Sequence, residues 1–233
     1  MELSDALLDK ARAVREKIFQ HPFVLGIGDG TLPVEKFRFY LGQDYRYLIE
    51  YCRVFGLGVA KAEYLTDMAH LAALLNATLG VEMELHRTLC AGFGIDREAL
   101  ERTPISAVTH AYTSHLLAVA WRGSLAEIAA SLLPCQWDYW EIGRALAERG
   151  GLAESNPYRQ WVGAYTSTEY RELAEWLRGL LDRLGEGLGR SQLSRIEEVF
   201  LNSSRYELMF WDMAWREEMR PAPLPTRGGA TRC

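Results

Sequence analysis

Asp44, Glu207 and Cys135 are the residues whose type and surroundings point most directly to chemistry. In FRFYLGQDYRYLIEY, Phe37, Tyr40, Asp44, Tyr47 and Tyr51 fall at offsets 0, 3, 7, 10 and 14. That spacing is one face of an α-helix, so a single carboxylate stands inside an aromatic stripe. Farther on, Ile196, Phe200, Ser203, Glu207, Phe210 and Ala214 follow steps of four and three, while Glu198, Arg205, Asp212 and Arg216 lie off that face. Burying an unpaired carboxylate is costly enough that both acids must meet hydrogen-bond donors. Two readings stay open on spacing alone. Each acid is half of a buried ion pair, or it has a raised pKa and exchanges protons near neutrality, as general acid–base catalysis requires.

Cys135 follows Pro134 in SLLPCQWDYWEIG. A proline inside a helix frees the carbonyl four residues back and bends the axis, which opens space for a site. Taken alone the cysteine reads as packing, because a nucleophile needs a thiolate stabilised by neighbours that the sequence does not display. Cys52 and Cys90 read the same way, Cys233 sits in the C-terminal tail, and there is no CxxC pair. The five histidines (His21, His70, His86, His110, His115) all precede residue 116, so the paired E-x-x-H ligands of a di-iron bundle cannot be assembled. Glu82 with His86 reads as a helix-surface pair. Gly56-Leu57-Gly58 follows no strand, no G-x-S-x-G supplies a serine elbow, and the sequons at Asn76 and Asn202 fall inside expected helices. Neither a metal nor a cofactor is called for.

These side chains need rigid elements to position them, and the pattern is helical throughout. Leu7, Ala11, Val14 and Ile18, and again Leu173, Leu177, Leu180 and Leu184, recur at helical spacing, and no sustained strand-type alternation is present. Ser124 with Glu127 makes a capping box, Thr103-Pro104 places a proline in a first turn, and Pro33 follows the turn-forming Gly28-Asp29-Gly30. Helices are expected over about 4–20, 32–62, 65–92, 104–122, 125–149, 157–163, 168–185 and 191–217. No linker or repeat divides the body, so one all-α domain is expected over 1–219, with a disordered tail at 220–233 where three of the eight prolines crowd together. Of 233 residues 48% are hydrophobic, and 26 Lys and Arg stand against 31 Asp and Glu for a net charge of −5. That balance excludes wholesale disorder and a broad phosphate-binding footprint, hence nucleic acid as the main partner. No apolar run is long enough for a membrane helix, and the opening residues lack a signal peptide's apolar run, so a cytoplasmic location is expected.

Five blocks extend this reading. HPFVLGIGDGTLPVEKFRFYLGQDYRYL, AYTSHLLAVA around Tyr112, LLPCQWDYWEIG around Cys135, WVGAYTSTEY around Tyr165 and SSRYELMFWDMAW around Glu207 together resemble the TenA/thiaminase II family and occur in its order. The resemblance implies a single-domain helical bundle of the haem-oxygenase-like type and a homotetramer. It also implies hydrolysis of 4-amino-5-aminomethyl-2-methylpyrimidine, with thiamin as a slower alternative, to the hydroxymethylpyrimidine in thiamin salvage. On the same resemblance Cys135 matches the nucleophile and Asp44 and Glu207 match active-site acids. Tyr47, Tyr112, Tyr165 and Phe210 match the aromatic pocket, and Tyr139 is a looser match. Two rival expectations are a haem or quinone-precursor oxidoreductase of the same helical superfamily, with His21 as the early candidate ligand, and a non-enzymatic regulator.

Overall fold

The structure, a computed structural model, describes residues 2–149 and 152–220. Among them twelve α-helices and no strand are present: α1 Leu3–Lys10, α2 Arg12–Phe19, α3 Pro22–Asp29, α4 Val34–Lys61, α5 Leu65–Ala77, α6 Met83–Gly92, α7 Arg97–Glu101, α8 Ala107–Arg122, α9 Leu125–Glu148, α10 Arg159–Tyr165, α11 Thr168–Gly185 and α12 Arg190–Arg216. The tail expected to be disordered lies, from residue 221 on, outside the described residues.

Each long helix starts where its chemistry dictates. Ser124 accepts from the Glu127 backbone N–H while the Glu127 carboxylate accepts from the Ser124 N–H, the reciprocal box expected from the sequence. The helix expected at Thr103-Pro104 instead begins at Ala107, because Ser106 is the residue whose hydroxyl accepts from the Thr109 N–H. Gly28-Asp29-Gly30, read as a turn before Pro33, closes a short helix, α3, that was not expected. His21 caps it, Pro22 occupies its first turn, and Gly30 ends it in the left-handed region at φ 71°. The Asn156 side-chain amide then donates to the free carbonyls of Ile27 and Gly28, each at 2.9 Å. The single helix expected near 4–20 breaks at Ala11, and the one expected over 65–92 is interrupted by a π-helical turn, Thr78–Glu82.

α9 runs through the middle of the molecule, packed by α12 and α11 and touched also by α10, α8, α3 and α4. Its run LAEIAASLLPCQW is buried at nearly every position, so it lacks the one-sided polarity of a surface helix. Pro134 sits in its interior and has no N–H for the Ala130 carbonyl. α4, α8 and α12 all pack on α9.

Candidate active site

The two stripes read from the sequence face inward as their spacing demands. Phe37, Tyr40, Asp44, Tyr47 and Tyr51 on α4 are all buried, and so are Ile196, Phe200, Ser203, Glu207, Phe210 and Ala214 on α12. Between them, α9 contributes Cys135 and Tyr139 and α8 contributes Tyr112.

Glu207 is the hub. The Tyr112 hydroxyl donates to its Oε1 at 2.6 Å, and the Cys135 thiol is hydrogen-bonded to the same carboxyl. Burial pushes the Glu207 pKa up to about 8, and the charge of Asp138 adds to the rise; the bonds from Tyr112 and Cys135 oppose it. The group is therefore a protonated acid at neutral pH. The Tyr47, Tyr112 and Tyr139 phenols are held well above their ordinary pKa, first by burial, so they remain donors.

The aromatic residues form the walls. Tyr47 packs on Tyr112 at 5.0 Å between ring centroids, on Tyr51 at 5.5 Å and on Phe210 at 6.0 Å. Its hydroxyl is buried with no protein partner of good hydrogen-bond geometry, although it lies near enough to Tyr112 to bias that phenol. A planar heterocycle bearing an acceptor would satisfy it. Tyr139 senses the charge of both acids. Its hydroxyl accepts from Tyr40 at 3.3 Å, which in turn accepts from Trp161 Nε1 at 3.3 Å, and its phenol feels Asp44, Glu207 and Cys135 together. Tyr165 packs on Tyr139 at 4.9 Å. Of the eight residues singled out from the sequence, Tyr47, Tyr112, Cys135, Glu207 and Phe210 are joined by direct contacts, Tyr139 and Tyr165 pack on each other, and Asp44 acts on Tyr139 through its charge.

Sequence reasoning missed two features. His86, expected on the surface beside Glu82, is buried; its Nε2 lies 2.8 Å from the Leu41 carbonyl and its Nδ1 3.7 Å from Asp44 Oδ2. The side chain of Glu82 lies outside the described residues. The other is Asp138, one turn after Cys135, whose Oδ1 accepts from Arg15 Nε at 2.7 Å while Oδ2 has no partner. Burial lifts the Asp138 pKa to about 6 against the pull of Arg15. Its position three residues after a candidate nucleophile was a visible signal. The contact with Arg15 on α2 was not.

A cavity of about 390 Å³ opens beside the cluster. Its wall reaches the cluster through Gln136, next in sequence to Cys135 and hydrogen-bonded to the Tyr51 hydroxyl at 3.2 Å, and through His86 and Tyr165. Cys90, buried nearby, has its thiol pushed up to about 12, which keeps it inert at neutral pH. His21, the candidate haem ligand, instead caps α3 through Nδ1, which accepts from the Phe23 N–H at 3.2 Å, and turns Nε2 toward Asp212 at 3.6 Å. Among the described residues no group of three or more His, Cys, Asp or Glu is arranged to hold a metal ion, and no helix is long and apolar enough to cross a membrane.

Comparison with known proteins bears on the fold and the family. The model of the TENA/THI-4/PQQC family matches residues 8–217. An aminopyrimidine aminohydrolase of Halalkalibacterium halodurans is 45% identical over 219 residues, covering 94% of this chain and 98% of that protein. The solved structure of a TenA homologue from P. horikoshii OT3 superposes with a TM-score of 0.85 at 36% identity, covering 93% of this chain and 99% of the other. A haem-oxygenase-like domain from Shewanella denitrificans OS217, at 15% identity, TM-score 0.73 and coverages of 91% and 92%, shares the fold alone. With a family model spanning nearly the whole described body and a relative this similar end to end, the chain belongs to the TENA/THI-4/PQQC family.

Proposed function

We propose that the protein hydrolyses 4-amino-5-aminomethyl-2-methylpyrimidine to the 5-hydroxymethyl compound and ammonia in thiamin salvage, with thiamin as a slower substrate, and that it works as a cytoplasmic homotetramer. The observation that carries the reading is the contact of the Cys135 thiol with a Glu207 held protonated near neutrality, among the packed rings of Tyr47, Tyr112 and Phe210. The name of the 45% identical relative supports it.

Water cannot displace an amine from the methylene carbon while the ring is aromatic, so the ring must first be opened to electron flow. Cys135 Sγ bonds to a ring carbon, and the thiol proton passes to a ring nitrogen. The ring electrons then expel the amine as the C–N bond breaks, and it leaves as ammonia with the proton of Glu207. Glu207, now a carboxylate, removes a proton from water as the water oxygen bonds to the exocyclic methylene. The C–S bond breaks, the ring nitrogen returns its proton, and aromaticity and the thiol are restored. Asp44 holds the ring amine by charge-assisted hydrogen bonds. Tyr47, Tyr112 and Phe210 clamp the ring faces and edges, while Tyr139 and Tyr165 offer hydroxyls to it.

The test is an ammonia-release assay on the aminomethylpyrimidine, with thiazole release from thiamin in parallel, on the wild type and Cys135→Ala. The wild type is expected to release ammonia, and Cys135→Ala to lose turnover while keeping its helical circular dichroism. No ammonia and no thiazole from the wild type would reject the activity; turnover by Cys135→Ala would reject the covalent route alone.

A further inference from the structure

Away from the reacting groups, the three helices that bear Tyr47, Tyr112 and Glu207 are tied together at a buried polar junction that the chemistry proposed above does not use. Gln43 on α4, Ser106 and Thr109 at the start of α8, and Met213 on α12 are at most 1% exposed. The Gln43 side-chain amide uses its full hydrogen-bonding capacity there. Its Nε2 donates to the Pro104 carbonyl at 2.9 Å and to Met219 Sδ at 3.7 Å, while its Oε1 accepts from the Ser106 N–H and from the Thr109 hydroxyl, each at 2.9 Å. The Thr109 hydroxyl accepts in turn from the Ser106 hydroxyl at 2.9 Å, and Met213 Sδ lies against both. The Ala107 N–H donates to the Met219 carbonyl at 2.8 Å, so the chain leaving α12 returns to the first turn of α8.

From this junction the contacts run into the site at helical spacing. Gln43 and Tyr47 are four apart on α4, and Thr109 and Tyr112 are three apart on α8, so each pair shares a face. One step on from the Gln43–Thr109 bond, Tyr47 packs on Tyr112 at 5.0 Å. Between α8 and α12 the contact of Thr109 with Met213 is followed by the Tyr112 hydroxyl on Glu207 at 2.6 Å, and then by His115 with Ser203 at 3.2 Å. Residue numbers rise along α8 as they fall along α12, the pairing of antiparallel helices. The Tyr112–Glu207 bond is thus one rung beyond the junction, and sliding α8 by about 1 Å would take it out of hydrogen-bond range.

We propose that Gln43 and Thr109 are positioning residues that set α8 against α4 and α12 so that the Tyr112 hydroxyl meets Glu207. The inference rests on the proposed role of Glu207 as proton donor and adds what places its partner. The sign of the effect separates this role from general support of the core. Glu207 is faced by Tyr112 from α8, by Tyr47 from α4 and by Cys135, Asp138 and Tyr139 from α9. Farther out, Lys10 on α1 pairs with Glu197, Arg15 on α2 with Asp138, and His21 at the start of α3 faces Asp212. Of these groups, Tyr112 and Cys135 bond to the carboxyl and favour its ionised form. Losing the Tyr112 bond therefore raises the Glu207 pKa further, whereas a loosened core that admits water lowers it toward the ordinary carboxylic range.

The experiment is an infrared titration of the ligand-free protein, following the carboxyl band that is absent from Glu207→Gln, in the wild type, Thr109→Val, Thr109→Ser, Tyr112→Phe and the double variant Thr109→Val/Tyr112→Phe. Valine keeps the shape of threonine without the hydroxyl; serine keeps the hydroxyl. Thr109→Val is expected to move the midpoint up by about 0.5 pH unit or more and to lower kcat about tenfold, and Thr109→Ser to stay near the wild type in both. The double variant should titrate as Tyr112→Phe alone does, because both substitutions remove the same bond. A midpoint that is unchanged or falls in Thr109→Val, or shifts that add in the double variant, would mean that the junction only fills the core and would overturn the proposal. Should the valine variant not fold, Thr109→Ala removes the hydroxyl without added bulk and is read by the same criteria. A wild-type carboxyl already ionised at neutral pH would remove the donor that Tyr112 serves, and the proposal with it. The titration needs no substrate, so a wild type that releases no ammonia rejects the activity proposed above while the midpoints still decide the placement of Tyr112.

Discussion

Replacing Glu207 by Gln keeps the shape of the side chain and an oxygen for the Tyr112 hydroxyl but removes its ability to ionise. In the folded protein its pKa is raised from 4.5 to about 8, mainly by burial. Between those values the folded state holds a proton that the unfolded state has released. Stability therefore falls as pH rises through that window; the contribution is complete below about pH 4.5 and gone above about pH 8. A shift of roughly 8 − 4.5 = 3.5 pKa units corresponds to about 5 kcal/mol of stability lost across the window through this one group. His86, lowered, titrates in the same range but is present in either protein and cancels in the comparison; Asp138, whose charge acts on Glu207, is relieved of that coupling in the variant, so its titration is part of the difference measured. Urea unfolding of the wild type and Glu207→Gln at pH 5, 7 and 9 is the assay. The variant should gain on the wild type steadily from pH 5 to pH 9, approaching that magnitude, while its kcat at neutral pH falls about 10² to 10⁴-fold for want of an acid. Parallel unfolding curves across the range would show that the carboxyl is already ionised in the fold. Protonation of the leaving amine by Glu207 would then be untenable, whatever the variant's turnover.

Two further outcomes follow from the walls of the site. A Cβ on Gly143 would stand 3.0 Å from the Tyr165 Cβ, so Gly143→Val should displace that ring, raise KM for the pyrimidine and cost about 1–3 kcal/mol in thermal unfolding; unchanged KM would detach Tyr165 from binding. The cavity wall holds Glu169 but no Lys or Arg among the described residues, so a phosphate there would be buried unpaired. Thiamin diphosphate should accordingly be hydrolysed at least about tenfold more slowly than thiamin, as followed by thiazole release, and equal rates would place the leaving group elsewhere.

What could be read from the sequence and what could not divide along a physical line. A helix repeats every 3.6 residues, so an acid in an apolar stripe is assigned to the interior by local spacing alone. That is why Asp44 and Glu207 stood out, and why their burial matches the spacing. Helix α3 was hidden because it is short and its end, Gly28-Asp29-Gly30, reads as a turn; its stability comes from Pro22, the His21 cap and the distant Asn156 amide rather than from propensity. His86 was misplaced for a different reason. A single α-helix through residues 65–92 carries one register from end to end, and the π-helical turn at Thr78–Glu82 resets it. A pattern that assumes constant rotation per residue then assigns positions after the turn to the wrong face. Asp138 shows the third limit. Its place one turn beyond Cys135 was legible, but whether a buried acid there raises the pKa of a neighbouring acid or is itself neutralised depends on Arg15, 123 residues away in sequence. The Arg15 guanidinium tethers Oδ1 and lowers the Asp138 pKa only part of the way back. The carboxylate therefore keeps enough charge to disfavour ionisation of Glu207. The acidity of the proposed proton donor, weakened first by burial, is thus further adjusted by a contact between the second helix and the ninth that no window of local sequence contains.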